Sequence, residues 1–152
     1  MKKLSRVLLV ACTVAAPMLY SATAAAQFAK PEDAIHYRQS ALTVMATHFG
    51  RIGAIVKGER PFDAATVQAD AALVASMSKL PWAAFGPGTQ GGKARPEVWS
   101  DNAKFVQASQ RLEGDVAKLQ TAAQSGDIAQ IRTAFGAVGA SCKNCHDSFR
   151  AR

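Results

Sequence analysis

Ile128, Ile131, Phe135, Val138, Cys142, Cys145 and Phe149 follow one another at steps of three and four. That spacing keeps seven side chains on one side of an α-helix and prescribes a helix packed along its whole length in a bundle. Two of the seven are the cysteines of "SCKNCHDSFR", residues 141–150. His146 follows Cys142 by four residues and so projects from almost the same face. A disulfide, a zinc ion, a redox thiol pair and a covalently held haem are the chemistries that use two thiols and an imidazole so placed.

The opening stretch, "MKKLSRVLLVACTVAAPMLYSATAAAQ", bears on which of these is available. Lys2, Lys3 and Arg6 precede an apolar run, and Ala24-Ala25-Ala26 offers an A-x-A cleavage site, the pattern of a secretory signal peptide over residues 1–26. Pro17 and the abundance of Ala, Ser and Thr argue against a membrane anchor. Leu9-Val10-Ala11-Cys12 resembles a lipoprotein signal, but the apolar run continues beyond Cys12. Cleavage after Ala26 predicts a periplasmic chain, residues 27–152, with two cysteines, Cys142 and Cys145, and no membrane anchor. Of 18 basic residues 15 remain against 11 acids, a net charge of +4. The cations are scattered without aromatic interleaving, so nothing favours a nucleic-acid partner.

The body of the chain is rich in alanine and lacks strand-like alternation, so helix is expected throughout. The first helix is predicted to open at Pro31-Glu32-Asp33, bury Ile35, Leu42, Met45, Phe49, Ile52 and Val56, and end at Lys57-Gly58. The second starts near Phe62-Asp63, with Asp63 as N-cap, buries Val67, Val74, Met77 and Leu80, and stops at Pro81. The third runs from about Pro96 to Ala123 with Trp99, Val106, Leu112, Val116 and Leu119 inward, closed by Gly126. Residues 81–96 are a long Gly/Pro-rich loop. The expected fold is all-α, an antiparallel four-helix bundle with one covalently attached haem near the C-terminus.

Haem emerges from the cysteine spacing. A disulfide between cysteines three apart on a continuous helix is geometrically poor. A thioredoxin-like pair belongs at a helix N-terminus after a strand, and this one lies near a helix C-terminus. Structural zinc needs four ligands, whereas His36 and His48, the other histidines, sit on the first helix off its stripe. C-x-x-C-H is the attachment signature of c-type haem, the thiols forming two thioethers and His146 serving as axial ligand. Gly136, Gly139 and Ala140 would let the porphyrin or a helix come close. On the first helix, Arg38 and Gln39 interrupt the stripe between Ile35 and Leu42. They are either a snorkelling arginine with a solvent-side glutamine or partners of the haem propionates. Leu42 and Met45 would then lie against the other haem face.

The stretches "KPEDAIHYRQSALTVMATHFGRI", "LPWAAFGPGT…ARPEVWSD" and "AAFGAVGASCKNCHDSFR" make residues 27–152 resemble the cytochrome c′ family. The resemblance implies a periplasmic, homodimeric bundle with one haem c, whose five-coordinate, high-spin iron binds nitric oxide and carbon monoxide. It assigns Cys142 and Cys145 to the thioethers, His146 to the iron and Arg150 to the proximal side. Arg38 and Gln39 fall to the propionates, Leu42 to the vacant distal face, and Trp82 and Phe85 to the pocket wall. Arg95 lies in the long loop, and the Gly91-Gly92-Lys93 run puts nothing central in doubt. The expected function is nitric oxide binding or detoxification with electron-transfer capability through an unidentified periplasmic redox partner, not enzymatic turnover. The alternative is a low-spin electron carrier with Met45 as sixth ligand. Peroxidase-like chemistry is disfavoured because no distal histidine–arginine pair is evident. Ala41, Val44 and Phe49 are the candidate dimer contacts.

Overall fold

A proline and two acids start the first helix, as the sequence requires: α1 spans Pro31–Val56 with Glu32 and Asp33 in its first turn. It ends at Lys57, and Gly58 takes the positive φ (+79°) that turns the chain away. The computed structural model describes residues 27–152, so the predicted signal peptide, residues 1–26 with Cys12, lies outside the described residues. Helix α2 spans Ala64–Met77, and Asp63 caps it by accepting from the backbone N–H of Thr66 at 3.1 Å. A 3₁₀ turn, Pro81–Phe85, and a short helix α3, Glu97–Ser100, occupy the region expected as loop and the start of the third helix. Helices α4, Asn102–Ser125, and α5, Ile128–Phe149, follow. Gly126 at φ +71° ends α4, and the Asp127 side chain accepts from Ala129 N–H at 2.8 Å to begin α5.

The third helix departs from expectation. It is broken at Asp101, whose φ of −121° and ψ of 48° lie outside the helical range. The buried stripe there also differs from the expected one: Val98 is buried instead of Trp99, and Phe105 instead of Val106, which is 41% exposed. Trp99 is half-buried, its indole N–H donating to the Gly86 carbonyl at 3.0 Å. In α2 the inward face carries Asp70 and Ala71 beside Val67 and Val74, while Leu80 falls beyond the helix end and is exposed.

The four long helices form the expected antiparallel bundle. Met45, Ile52, Val67, Val74, Leu112, Val116, Leu119, Ile131 and Val138 are among its main core. Helix α1 packs chiefly on α2 and the 3₁₀ turn, and α5 chiefly on α4. Direct contact between α1 and α5 includes a tight junction remote from Cys142–His146. There the Phe49 and Phe135 rings stack at 4.2 Å, a Cβ on Gly53 would sit 3.0 Å from Phe135, and the Arg132 guanidinium donates to the Val56 carbonyl.

One polar contact fixes the rotation of α5. Ser141, immediately before Cys142, is buried and donates to Asp115 Oδ2 on α4 at 2.7 Å; Lys118 donates to Oδ1 at 3.0 Å. The Ser141 hydrogen bond, and secondarily Lys118, holds the Asp115 carboxyl below the usual carboxylate range. A depressed folded-state pKa stabilises the fold above the unfolded value, about 3.9, and that contribution is lost as pH falls through the folded value. Ser141→Ala is therefore expected to cost the haem-loaded protein about 1.5–3 kcal/mol at pH 7, as for a hydrogen bond to a charged group. Urea unfolding followed by far-ultraviolet circular dichroism should show that gap shrinking below about pH 4. An equal gap at pH 7 and pH 3 would contradict the role given to the ionised carboxylate.

Candidate haem-attachment site

The last two turns of α5 present Cys142 and Cys145 half-buried and His146 on the exposed side. Cys142 packs against the main core, the cluster that also takes in Leu42, Met45 and Trp82. Cys145 packs against a second cluster built on Val98, Phe105 and Phe149, with Trp82 and Phe85 at its edge. Burial pushes both thiols up, Cys145 to about 11 with further help from Cys142. Neither is a thiolate near neutral pH, which is unlike a redox nucleophile. Among the described residues no group of three or more His, Cys, Asp or Glu is arranged to hold a metal ion. His146 is pushed down, first by burial and then by Arg150, against an opposing effect of Asp147, so its imidazole is neutral and keeps a lone pair. Two neutral thiols against an apolar wall and one neutral imidazole fit covalent haem attachment with a histidine ligand.

Arg38 does something the sequence reading did not foresee. It is 2% exposed, and its Nη1 donates to the carbonyls of Ala84 and Thr89, both at 2.8 Å, while Nη2 donates to that of Gly91 at 2.9 Å. The guanidinium lies over the Phe85 ring at 4.5 Å and the Trp99 ring at 5.7 Å. Burial lowers its pKa. The snorkelling alternative is thereby corrected: the head group is inside the fold, with both terminal nitrogens engaged by the loop. Gln39 is exposed on α1 and lies under the same loop, where a Cβ on Gly92 would come within 2.8 Å of its amide nitrogen.

The Gly91-Gly92 pair is consequently more central than its sequence suggested. Both residues have positive φ, +137° and +61°, and a Cβ on Gly91 would strike Ile35 at 2.9 Å. No Cβ at Gly136 or Gly139 would meet a neighbour within 4 Å, so no helix packs closely on them.

The aromatic residues form a continuous run from Arg38 to the end of α5. Phe85 packs on Phe105 at 4.9 Å, and Phe105 meets Phe149 edge-on at 5.3 Å. Trp82 joins the run 5.9 Å from Phe105, its indole N–H donating to the Ser78 carbonyl at 2.6 Å. Arg95 is ion-paired to Glu97 at 2.6 Å, and its backbone N–H donates to the Phe149 carbonyl at 2.9 Å. Ala151 N–H donates to the Lys93 carbonyl at 2.9 Å, and Ala94 and Arg150 make an isolated antiparallel bridge. The loop is thus tied to α1 by Arg38 and to α5 through residues 93–95, with Arg150 exposed at the α5 C-cap.

The structure therefore gathers Leu42, Met45, Trp82 and Cys142 in one apolar cluster, and Phe85 and Cys145, again with Trp82, in the other. Sequence reasoning missed Phe105, which its spacing of seven residues from Leu112 could have signalled. It also missed the Asp115–Ser141 pair, which a buried polar residue beside an attachment cysteine could have signalled.

Comparison with known proteins agrees with this arrangement. A sequence profile described as Cytochrome C′ matches residues 33–150. The cytochrome c′ of Alcaligenes xylosoxydans xylosoxydans is 58% identical over 126 residues, covering 83% of this chain and 99% of the relative. That of Rubrivivax gelatinosus is 50% identical over 129 residues, covering 83% of this chain and all of the relative. A solved nitric oxide complex of a leucine-to-alanine variant of cytochrome c prime from Alcaligenes xylosoxidans superposes with a TM-score of 0.81. It is 56% identical and covers 83% of this chain and 99% of that one. With the fold, the C-x-x-C-H helix and the profile in agreement, the chain belongs to the cytochrome c′ family, whose cofactor is haem c held covalently through two thioethers.

Proposed function

We propose that this chain is a periplasmic gas-binding haem protein with electron-transfer capability, serving nitric oxide binding or detoxification. One observation on α1 carries the reading. Met45 is 7% exposed and belongs to the main core, whereas Leu42, one turn earlier, packs at that core's edge and stays partly open. Haem held by these residues would supply a one-electron couple and, in the five-coordinate, high-spin state this reading assigns to it, an iron able to take a small gas. Cys142 and Cys145 anchor the group, and the neutral imidazole of His146 offers its lone pair to the iron. Leu42 provides no hydrogen-bond donor, so a ligand that depends on one gains nothing there. Nitric oxide and carbon monoxide, small and weakly polar, need only that the leucine move. The nitric oxide complex of the Alcaligenes xylosoxidans relative supports the same ligand class. Arg150 stands one turn beyond His146, with its backbone N–H donating to the His146 carbonyl at 3.1 Å. The reading places the propionates beside Arg38 and Gln39, with Arg38 reaching them from a guanidinium already fixed by the loop.

Low-spin ligation by Met45 is the competing reading, and the methionine's burial among core residues weighs against it. Homodimer formation is part of the proposal. Of the three contacts expected from sequence, Ala41 is buried and Phe49 is stacked on Phe135, while Val44 is 41% exposed and free to meet a second copy.

Haem that resists acid–acetone extraction is expected to disappear in Cys142→Ala/Cys145→Ala; retention would defeat the thioether assignment. Ferric and ferrous optical spectra of the wild type should be high-spin and unchanged by Met45→Ala, while Leu42→Ala should speed carbon monoxide association. Truncating the leucine is expected to destabilise the bundle by about 2–5 kcal/mol, so circular dichroism must first show an intact fold. A methionine-to-iron charge-transfer band in the ferric wild type would overturn the gas-binding reading. Sedimentation at tens of micromolar should give a dimer that Val44→Glu weakens.

A further inference from the structure

Three cations without an acidic partner gather at the end of α5. Around the end of α5 the acids are all matched: Glu97 pairs with Arg95, Asp101 with Lys104 and Asp147 with Lys143. Lys93, Arg150 and Arg152 are exposed and engage in no ion pair among the described residues. The fold places these three together. Residues 93–95 run antiparallel to 149–151, joined by Ala151 N–H to the Lys93 carbonyl and Arg95 N–H to the Phe149 carbonyl, both at 2.9 Å, with the Ala94–Arg150 bridge between. Lys93 and Arg150 thus sit on a short two-stranded ribbon pinned by backbone hydrogen bonds, and Arg152 follows directly on it, at the end of the helix that carries exposed His146 and half-buried Cys145.

A fixed cluster of unpaired charge steers an oppositely charged partner toward itself and raises its association rate, an effect that salt screens. Here the cluster lies at the end of α5, one turn beyond the exposed His146 that would hold the haem iron. We propose that the Lys93–Arg150–Arg152 ribbon is the docking surface for the acidic face of a one-electron carrier protein. The proposal rests on the redox-active haem reading above. Docking would let one electron leave the ferrous protein for the oxidised carrier, or return from the reduced carrier to the ferric protein, with no bond made or broken.

Ferricyanide, an anion reduced to ferrocyanide by one electron, serves as probe, with tris-phenanthroline cobalt(III) as its cationic counterpart. Oxidation of the ferrous haem-loaded protein by ferricyanide should slow as ionic strength rises, while oxidation by the cobalt complex should not. Lys93→Glu/Arg152→Glu should slow the ferricyanide reaction roughly three- to tenfold at low salt, quicken the cobalt reaction, and leave the optical spectrum unchanged. Lys57→Glu/Arg60→Glu changes the net charge equally at the opposite end of α1 and should have a much smaller effect. Titration with redox-inert hexacyanocobaltate should shift the amide resonances of residues 93–95 and 150–152 in the wild type. Equal slowing by the two double variants, or amide shifts spread evenly over the surface, would overturn the docking surface and leave the redox reading standing. A ferrous protein that neither oxidant can oxidise would overturn the redox reading and the docking surface with it.

Discussion

A guanidinium taken out of water must find partners for its donors, and Arg38 finds three in the backbone of one loop. Three carbonyls, those of Ala84, Thr89 and Gly91, converge on two nitrogens of a side chain that belongs to α1. The loop is shaped by that demand. Thr89 turns its own hydroxyl onto the Gly86 carbonyl at 2.8 Å, and Gly91 and Gly92 adopt backbone angles that other residues resist. Phe85 and Trp99 lay their rings against the charge, which brings the 3₁₀ turn and α3 to the same point. From there the contacts run through Phe105 to Phe149 and through residues 93–95 to the backbone of 149–151. The first helix and the end of the last one are thereby held at a set separation by the loop and its aromatic support.

The two ends of the bundle are accordingly built on different terms. At the end holding the Phe49–Phe135 stack, α1 and α5 touch directly, and Gly53 removes the side chain that would keep them apart. At the other end the attachment residues lie between two hydrophobic clusters, with Trp82 packed against both. The Asp115–Ser141 hydrogen bond sits between these regimes. It fixes α5 on α4 one residue before Cys142, so at this end the rotation that faces the thiols inward is held by α4. A group held on α5 could then meet α1 without disturbing the helix that carries it.

Much of this was legible in the sequence because helical periodicity reports burial directly. The seam of α5, the Asp63 cap, the stop at Gly58 and the C-x-x-C-H run all could be read from spacing and residue type. What could not be read depended on contacts between segments far apart in the chain. Arg38 looked like a propionate partner or a snorkelling side chain because three loop carbonyls, 46 to 53 residues away, are invisible in a helical wheel. The third helix looked continuous because Trp99 and Val106 are seven apart, a helical repeat. The bend at Asp101 interrupts the helix, and the buried side chains are instead Val98 and Phe105, also seven apart, while the Trp99 indole donates to the Gly86 carbonyl. The glycine pair at 91–92 looked dispensable for the same reason: its constraint comes from Ile35 and Gln39 on another element.

These long-range contacts also bear on the distal side of the proposed haem site. Successive residues turn by about 100° around a helix, so Leu42 lies only about 40° from Arg38, almost directly one turn above it. Met45 is about 60° from Leu42 in the opposite sense, far enough to enter the core while the leucine remains at its edge. The rotation of α1 therefore chooses between an aliphatic gate and a sulfur ligand, two functions separated by a fraction of a helical turn. Arg38 sets that rotation, because its nitrogens can reach the carbonyls of Ala84, Thr89 and Gly91 only if this face of α1 is turned toward the loop. An arginine that contributes to the bundle's cohesion at one turn thus sets, at the next, which side chain of α1 enters the core and which stays at its edge.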